Sequence, residues 1–256
     1  MKKSVTLGLL SLASLITPAV ALQQWRWTDG IGSQMWTDAM NWSGDAVPIS
    51  ISAVQIGTQP TGNQIGIDSG SVTVASFTFN NTLTNSVDIA PLASQTLQVN
   101  GAITNNSAYT DSFSLAVIAG ANAVWTGPLN FTAKTGIGTS QITLSNAITF
   151  SEVEFDITNL TTYGRLLGAG TANVTGTINI GGTYTGGFND SFDFTSGTFS
   201  GATLGTLPTL TGALTWDTSN FLTDGTLTVI PEPASGLLLG AGLAAVTLVR
   251  RRRSRA

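Results

Sequence analysis

The chain lacks cysteine and histidine altogether, and only 9% of its 256 residues are charged. Without these two residue types it cannot form disulfides, thiolate nucleophiles, a Ser-His-Asp triad or the usual zinc ligand sets. We therefore assign no metal site and expect no cofactor, while calcium binding by acidic residues is left open. An ordinary soluble domain is about one quarter charged, so backbone hydrogen bonds and apolar packing have to provide most of the stability here.

The charges that are present are unevenly distributed. Seven of the ten basic residues lie in the first three and the last seven positions, whereas residues 22–230 hold thirteen acidic and three basic residues, a net charge of −10. A field of this sign repels phosphate backbones. The sequence therefore excludes nucleic acid as a partner.

The N-terminus has the three parts of a secretory signal. Lys2 and Lys3 precede an apolar run over 7–16, and the small-residue triplet over 19–21 follows. The apolar run is too short to span a bilayer as a mature helix, and the triplet is typical of a cleavage site. We expect residues 1–21 to be a signal peptide that signal peptidase removes after Ala21.

The C-terminus also has three parts in a fixed order. Pro231, Glu232 and Pro233 are followed by an apolar stretch over 234–249 and then by a cluster of arginines, Arg250, Arg251, Arg252, Arg253 and Arg255. A helix over 234–249 would be roughly 24 Å long, against ~30 Å of hydrocarbon. The arginines complete the span and stay cytoplasmic as a stop-transfer signal. We expect a single transmembrane helix that holds the acidic body outside.

This ending resembles the PEP-CTERM sorting signal, in which Pro-Glu-Pro, a short membrane helix and an arginine cluster are processed by an exosortase. The resemblance covers residues 231–255. It implies that Pro231, Glu232 and Pro233 are the recognition element and that an exosortase-type membrane protease is a partner. It also implies retention in the inner membrane before processing, then delivery to the cell surface or an extracellular matrix. The predicted organisation is thus a signal peptide over 1–21, a body over 22–230 and a sorting tail over 231–256.

The body has the pattern of an all-β protein. Apolar and polar residues alternate over 71–79 and 141–144, and no stretch before Ile230 has helical periodicity. Strand–corner–strand units over 96–104, 142–149 and 173–180 look like degenerate repeats. Stacked repeats bury a continuous core, so we favour a right-handed parallel β-helix, or solenoid, with capped ends. An antiparallel β-sandwich remains the alternative, because it would show the same alternation.

Aromatic residues mark both ends of the body. Trp25, Trp27, Trp36 and Trp42 resemble the opening of autotransporter-like β-solenoid passengers. We expect them to form a hydrophobic lid on the first turn. The other interpretation is a surface on which sugar rings stack. The segment 184–229 resembles sequences just upstream of PEP-CTERM tails and is expected to close the other end.

Three carboxylates are the best candidates for chemistry. Glu152, Glu154 and Asp156 alternate with apolar residues, so they project from one face of a strand about 7 Å apart. Inverting glycosidases use a similar carboxylate separation. Any solvated acidic strand has the same pattern, so Glu152 and Glu154 are weak catalytic candidates.

We therefore expect a non-enzymatic structural or adhesive protein of the cell surface or matrix, with exopolysaccharide as a candidate partner. The alternative is a polysaccharide hydrolase or lyase on a β-helix. Such an enzyme needs a cationic groove for acidic polysaccharide, and the body offers only Arg26, Lys134 and Arg165. That scarcity favours the structural role.

Overall fold

The computed structural model describes residues 23–28, 30, 33–199 and 201–232, with the backbone alone for 23–26. These residues form strands, one single-turn helix, α1 (Phe221–Asp224), and two 3-10 turns (Ala39–Asn41 and Thr61–Asn63). The strands in chain order are β1 (Gln23–Trp27), β2 (Ser52–Ile56), β3 (Gln64–Ile67), β4 (Ser71–Val74), β5 (Ser76–Phe79), β6 (Asp88–Pro91), β7 (Thr96–Val99), β8 (Ile103–Asn105), β9 (Asp111–Phe113), β10 (Ala116–Ala119), β11 (Ala123–Thr126), β12 (Leu129–Gly138), β13 (Gln141–Leu144), β14 (Ile148–Asn159), β15 (Thr162–Tyr163), β16 (Arg165–Leu167), β17 (Ala172–Gly182), β18 (Ser191–Asp193), β19 (Thr203–Leu204), β20 (Leu214–Asp217) and β21 (Thr226–Pro231).

Parallel pairing between distant strands creates three faces. The first face is the seven-stranded sheet β1-β2-β5-β8-β11-β13-β16. An eleven-stranded sheet provides the second face, which begins with β3-β6-β9, and the third, which begins with β4-β7-β10. The second and third faces both continue on the long strands β12, β14 and β17, each of which contributes one part to each face. The register is irregular after Phe131 and after Phe150, where the part in the second face ends.

The body is therefore a parallel β-solenoid of about 6 turns. This confirms the favoured fold class. It does not support the antiparallel sandwich, because in the described residues antiparallel strand pairs occur only at β15 and in the C-terminal sheet. The right-handed sense stays a prediction.

The turns are unequal in length, and this explains why the repeats are degenerate. Trp125 pairs with Leu144, 19 residues further on, whereas Phe77 pairs with Ile103, 26 residues further on. The three predicted strand–corner–strand units also lie at three different corners. They join the third face to the first (96–104), the first to the second (142–149), and the second to the third (173–180).

The core consists of apolar side chains stacked in register from turn to turn. One row on the second face contains Ile65, Ile89, Phe113, Phe131, Phe150 and Val174. Its three phenylalanine rings stack with centroids 5.1 Å apart and interplanar angles of 8° and 9°. Each fully buried side chain of this size contributes about 1.5–3 kcal/mol of transfer free energy.

Corner residues are small where one turn approaches the next. A Cβ on Gly101 would lie 2.6 Å from the carbonyl oxygen of Ala75, which belongs to the preceding turn. Only glycine fits at that separation. Glycine at the corner of the predicted unit over 96–104 is thus required by the stacking distance between turns.

A different architecture covers the C-terminal end. Strands β18, β21 and β20 form an antiparallel sheet in that order. Phe192 and Phe194 are fully buried on either side of the partly exposed Asp193. Asp193 forms an ion pair of 2.6 Å with Arg165 of the solenoid. We call β18, β20, β21 and α1 the cap.

Candidate functional site

The strongest functional signal of the sequence begins inside the cap. Strand β21 is the middle strand of the cap sheet, between β18 and β20. Leu227 and Val229 of β21 are fully buried, whereas its other residues are partly or fully exposed. β21 continues to Pro231, so the first residue of the predicted recognition element belongs to a folded sheet. Glu232 follows directly and is exposed.

Local sequence determines where β21 begins. Phe221 is fully buried at the start of α1, and Gly225 ends that helix in the left-handed conformation, with φ of 79°. The N–H of Gly225 donates to the carbonyl of Phe221 at 2.9 Å, while its own carbonyl accepts from Phe194 N–H at 3.0 Å. Glycine adopts this conformation without a steric penalty. The chain can therefore turn straight from α1 into β21.

The two edges of β21 differ near the sorting motif. On one edge, Ile230 lies opposite Thr215 and Pro231 opposite Leu214, and the Glu232 N–H donates to the carbonyl of Ala213 at 3.0 Å. Because backbone groups alternate between the edges of a strand, position 231 points its nitrogen towards the opposite edge. Proline has no N–H to donate there. Pro231 therefore costs the sheet no hydrogen bond, which explains how a strand can include it.

Strand β20 covers the motif-bearing edge. All four of its residues are partly exposed. The indole N–H of Trp216 donates to the carbonyl of Pro208 at 2.8 Å, and its ring lies 5.9 Å from the rings of both Tyr184 and Phe192. One aromatic side chain thus holds β20 against the rest of the cap.

The acidic residues lie on the outer surface of the third face. Glu152, Glu154 and Asp156 are all partly exposed along β14, as the alternation predicts. Glu154 forms an ion pair with Lys134 of the neighbouring strand, and Glu152 accepts a hydrogen bond of 3.0 Å from the side chain of Asn179. The pKa of Asp156 is raised by partial burial and then by the charge of Glu154, against the opposing effect of Lys134.

Both candidate carboxylates have partners on adjacent strands, Lys134 for Glu154 and Asn179 for Glu152. The neighbouring depression has a volume of about 190 Å³ and is lined by Lys134 and Glu154 with small or aliphatic neighbours, Thr96, Ala116, Val117, Ile118 and Gly136. Within the described ranges no group of three acidic side chains could hold a metal ion.

The N-terminal tryptophans correct one interpretation of the sequence. Trp27, Trp36 and Trp42 are at most 1% exposed, so their rings are not available to stack on sugars. They pack edge to face, with Trp42 centroids 5.0 Å from Trp27 and 4.7 Å from Trp36, and Trp36 also stacks on Phe77. This burial is what a hydrophobic lid on the first turns requires. The side chain of Trp25 lies outside the described residues.

Several predicted features also fall outside the part of the chain that the structure describes. These are the signal peptide over 1–21, Pro233, the helix over 234–249 and the arginines of the stop-transfer signal. Among the described residues, no helix has the length and apolar character needed to cross a membrane.

Comparison with known families bears on the sorting motif. Residues 229–253 match the PEP-CTERM protein-sorting motif. No curated protein and no solved structure matches the chain. The matched stretch includes the end of β21, Pro231-Glu232-Pro233 and most of the arginine cluster. This motif implies an exported, cell-surface-directed protein that is sorted by an exosortase.

Two polar groups of interest were not predicted from the sequence. Asp111 is fully buried at a corner of the second face, where it accepts hydrogen bonds from Val87 N–H at 2.6 Å and Ser107 Oγ at 2.7 Å. In the segment between β17 and β18, the Tyr184 hydroxyl donates to Asp190, and burial together with this contact raises the pKa of Tyr184 to about 12. Neither has a spacing that distinguishes it from other polar loop residues.

Proposed function

We propose that the protein is an exported structural or adhesive component of the bacterial cell surface or extracellular matrix. Signal peptidase removes residues 1–21. The helix over 234–249 and the arginine cluster hold the precursor in the inner membrane with the body outside. An exosortase-type protease recognises Pro231, Glu232 and Pro233 and releases the body. The observation that carries this proposal is the match of residues 229–253 to the sorting motif, directly after a capped all-β body.

The body is suited to a passive role outside the cell. Its net charge of −10 over residues 22–230 keeps it hydrated and separate from other acidic molecules. Hydroxyl side chains form registered rows on its outer surface, as in Thr78, Thr104 and Thr126 of the first face. Such rows offer hydrogen-bond partners to a polysaccharide without a binding cleft. We also propose that the solenoid is similar to autotransporter-like passengers, whose opening the N-terminal tryptophans resemble.

We further propose that the body is not an enzyme. The partnered state of Glu152 and Glu154, together with the small volume beside them, gives no support to a hydrolase or lyase. Incubation with a panel of polysaccharides, followed by a reducing-sugar assay, checks this directly. Turnover that disappears in Glu152→Gln or Glu154→Gln would contradict the proposal and make the glycosidase the better explanation.

The sorting step is tested by replacing Pro231, Glu232 and Pro233 together with alanine. We expect the variant to stay membrane-bound at its uncleaved mass, while the wild type is released in a shorter form. Fractionation followed by intact-mass spectrometry distinguishes the two. Release of the variant at the wild-type mass would show that these residues are not the recognition element.

A further inference from the structure

The start of the sorting motif has a paired backbone in the folded protein, although Pro231 and Glu232 are exposed to solvent. Ile230 and Pro231 lie opposite Thr215 and Leu214 of β20, and Glu232 N–H is bonded to the carbonyl of Ala213. An enzyme that approaches this segment therefore meets one edge that already has a strand partner. Within the part of the chain that the structure describes, the other edge has no strand partner beyond Val229, whose carbonyl accepts from Asn189 N–H at 3.0 Å.

The open edge has no backbone donor to offer. In β21 the N–H of Val229 points to the β18 side, where it donates to Asp190, and the N–H of Glu232 points to the β20 side. Alternation assigns residue 231 to the β18 side, and residue 231 is a proline. Pro233, outside the described residues, also lacks an N–H. Between residues 230 and 232, all the backbone donors therefore face β20.

Enzymes and binding domains that recognise extended peptides commonly add them as a strand, through backbone hydrogen bonds. Such a partner can accept backbone hydrogen bonds from residues 230–232 only where β20 now lies, because the other side offers the carbonyl of Pro231 and no N–H. We propose that β20 is a removable cover: it leaves β21, and the processing enzyme then pairs with β21 in its place. This inference rests on the proposed function. The surface concerned is the β20-facing edge of residues 230–232. It fits an enzyme with a cleft that binds an extended strand.

Among the three strands of the cap, β20 should dissociate first. It is an edge strand with all four residues partly exposed, and residues 211–213 before it are exposed. By contrast, Phe192 of β18 and Leu227 and Val229 of β21 are completely buried. The main anchor of β20 is the partly exposed Trp216, whose ring contacts Tyr184 and Phe192, and edge elements with few buried apolar contacts open at the low end of the stability range of a protein. Displacement of β20 thus leaves the β18–β21 pair in place.

A disulfide that joins β20 to β21 tests this in the full-length, exported chain. The natural sequence has no cysteine, so Thr215→Cys with Ile230→Cys creates a single bridge. The two residues lie directly opposite each other, and a hydrogen-bonded antiparallel pair has Cα atoms about 5.5 Å apart, within the disulfide range. The matched control is Ser191→Cys with Thr228→Cys, another directly opposed pair, which joins β21 to β18 instead.

We expect the Thr215–Ile230 bridge to reduce processing at least tenfold, as measured by intact mass and the membrane-bound fraction. The control bridge and each single-cysteine variant should be processed like the wild type. Addition of a reductant to the accumulated precursor should restore processing. A bridged chain that is still processed at the wild-type rate, or that stays unprocessed after reduction, overturns the proposal. A control bridge that blocks processing equally also overturns it, because β21 would then have to be extracted from both neighbours.

This experiment separates failure of the cover from failure of the proposed function. If the alanine variant of Pro231, Glu232 and Pro233 is processed as fast as the wild type, the sorting assignment is wrong. If that variant is blocked while the Thr215–Ile230 bridge has no effect, sorting is right and the cover is wrong.

Discussion

The solenoid and the cap differ in how their β-strands are paired. In the solenoid each strand finds its partner in the next turn, so aromatic residues such as Phe113, Phe131 and Phe150 form continuous rows. In the cap three short antiparallel strands end the stack, and one of them carries the beginning of the sorting motif. The solenoid therefore distributes its stability over many equivalent contacts. The cap concentrates its own in a few aromatic residues beside the segment that has to be processed.

The largest expected effect comes from the aromatic row of the solenoid. Phe131→Ala removes a ring that stacks on both Phe113 and Phe150 at 5.1 Å, so it should lower the free energy of unfolding by about 3–5 kcal/mol. Guanidinium unfolding followed by tryptophan fluorescence measures this. Phe188→Ala is the control, because Phe188 is 62% exposed and should change stability by less than about 0.5 kcal/mol. Equal effects would contradict the assigned core.

A cap variant should have a smaller and more local effect. Trp216→Ala removes the contacts with Tyr184 and Phe192 and the hydrogen bond to Pro208. We expect a loss of about 2–3 kcal/mol in cap stability, since Trp216 is only partly buried. Hydrogen exchange should show faster exchange in β20 and β21, with β12 and β14 unchanged. A uniform increase across all strands would mean that cap and solenoid unfold as one unit.

Two aspartates predict opposite pH dependences in the two regions. Burial raises the pKa of Asp111 in the solenoid, so its folded form prefers the proton and its contribution to stability falls as pH rises above the unfolded value of about 3.9. Hydrogen bonds from Ser219 lower the pKa of Asp217 in the cap, so its contribution is lost as pH falls through the folded pKa.

Unfolding between about pH 2 and pH 6 checks this difference. Solenoid stability should fall less with rising pH in Asp111→Asn, because the amide has the shape of the carboxyl group and does not ionise. Cap stability should instead fall less with decreasing pH in Asp217→Asn. If the two variants shift the pH profile in the same direction, the assigned environments are wrong.

The smallest effect is an expected gain. Thr135 is fully buried in a row between Val117 and Val153, and its Oγ1 has no hydrogen-bond partner among the described residues. Thr135→Val should therefore raise the free energy of unfolding by about 1 kcal/mol. Thr195→Val is the matched control next to the cap, because Thr195 Oγ1 accepts from Gly197 N–H at 3.2 Å and its loss should be destabilising. Destabilisation by Thr135→Val would indicate a polar partner for that hydroxyl.

The sequence predicts the solenoid well because its pattern is local. Alternation along each strand and small residues such as Gly101 at the corners identify strands and turns without knowledge of their partners. The pairing itself is not local, since Phe77 and Ile103 are 26 residues apart and the next turns are shorter. This variation explains why the units resembled repeats while they occupy three different corners.

The site is only partly predictable, for a physical reason. Pro231, Glu232 and Pro233 identify a sorting motif by composition and order, and the predicted signal was confirmed by the family match. That Pro231 lies within a sheet depends on Leu214 and Thr215, whose pairing with β21 no motif encodes. The tryptophans show the same limit. Their clustering suggested either a lid or a sugar-binding surface, and only burial of Trp27, Trp36 and Trp42 distinguishes these.

The most direct test of the account is the intact mass of the mature protein recovered from the cell surface or the medium. Signal removal and sorting together predict a chain that begins at Leu22 and ends at or shortly after the Pro231–Pro233 motif, clearly lighter than the 26.4 kDa precursor. Recovery from the cell surface or the medium of a chain that still carries residues 234–256 would contradict the central claim.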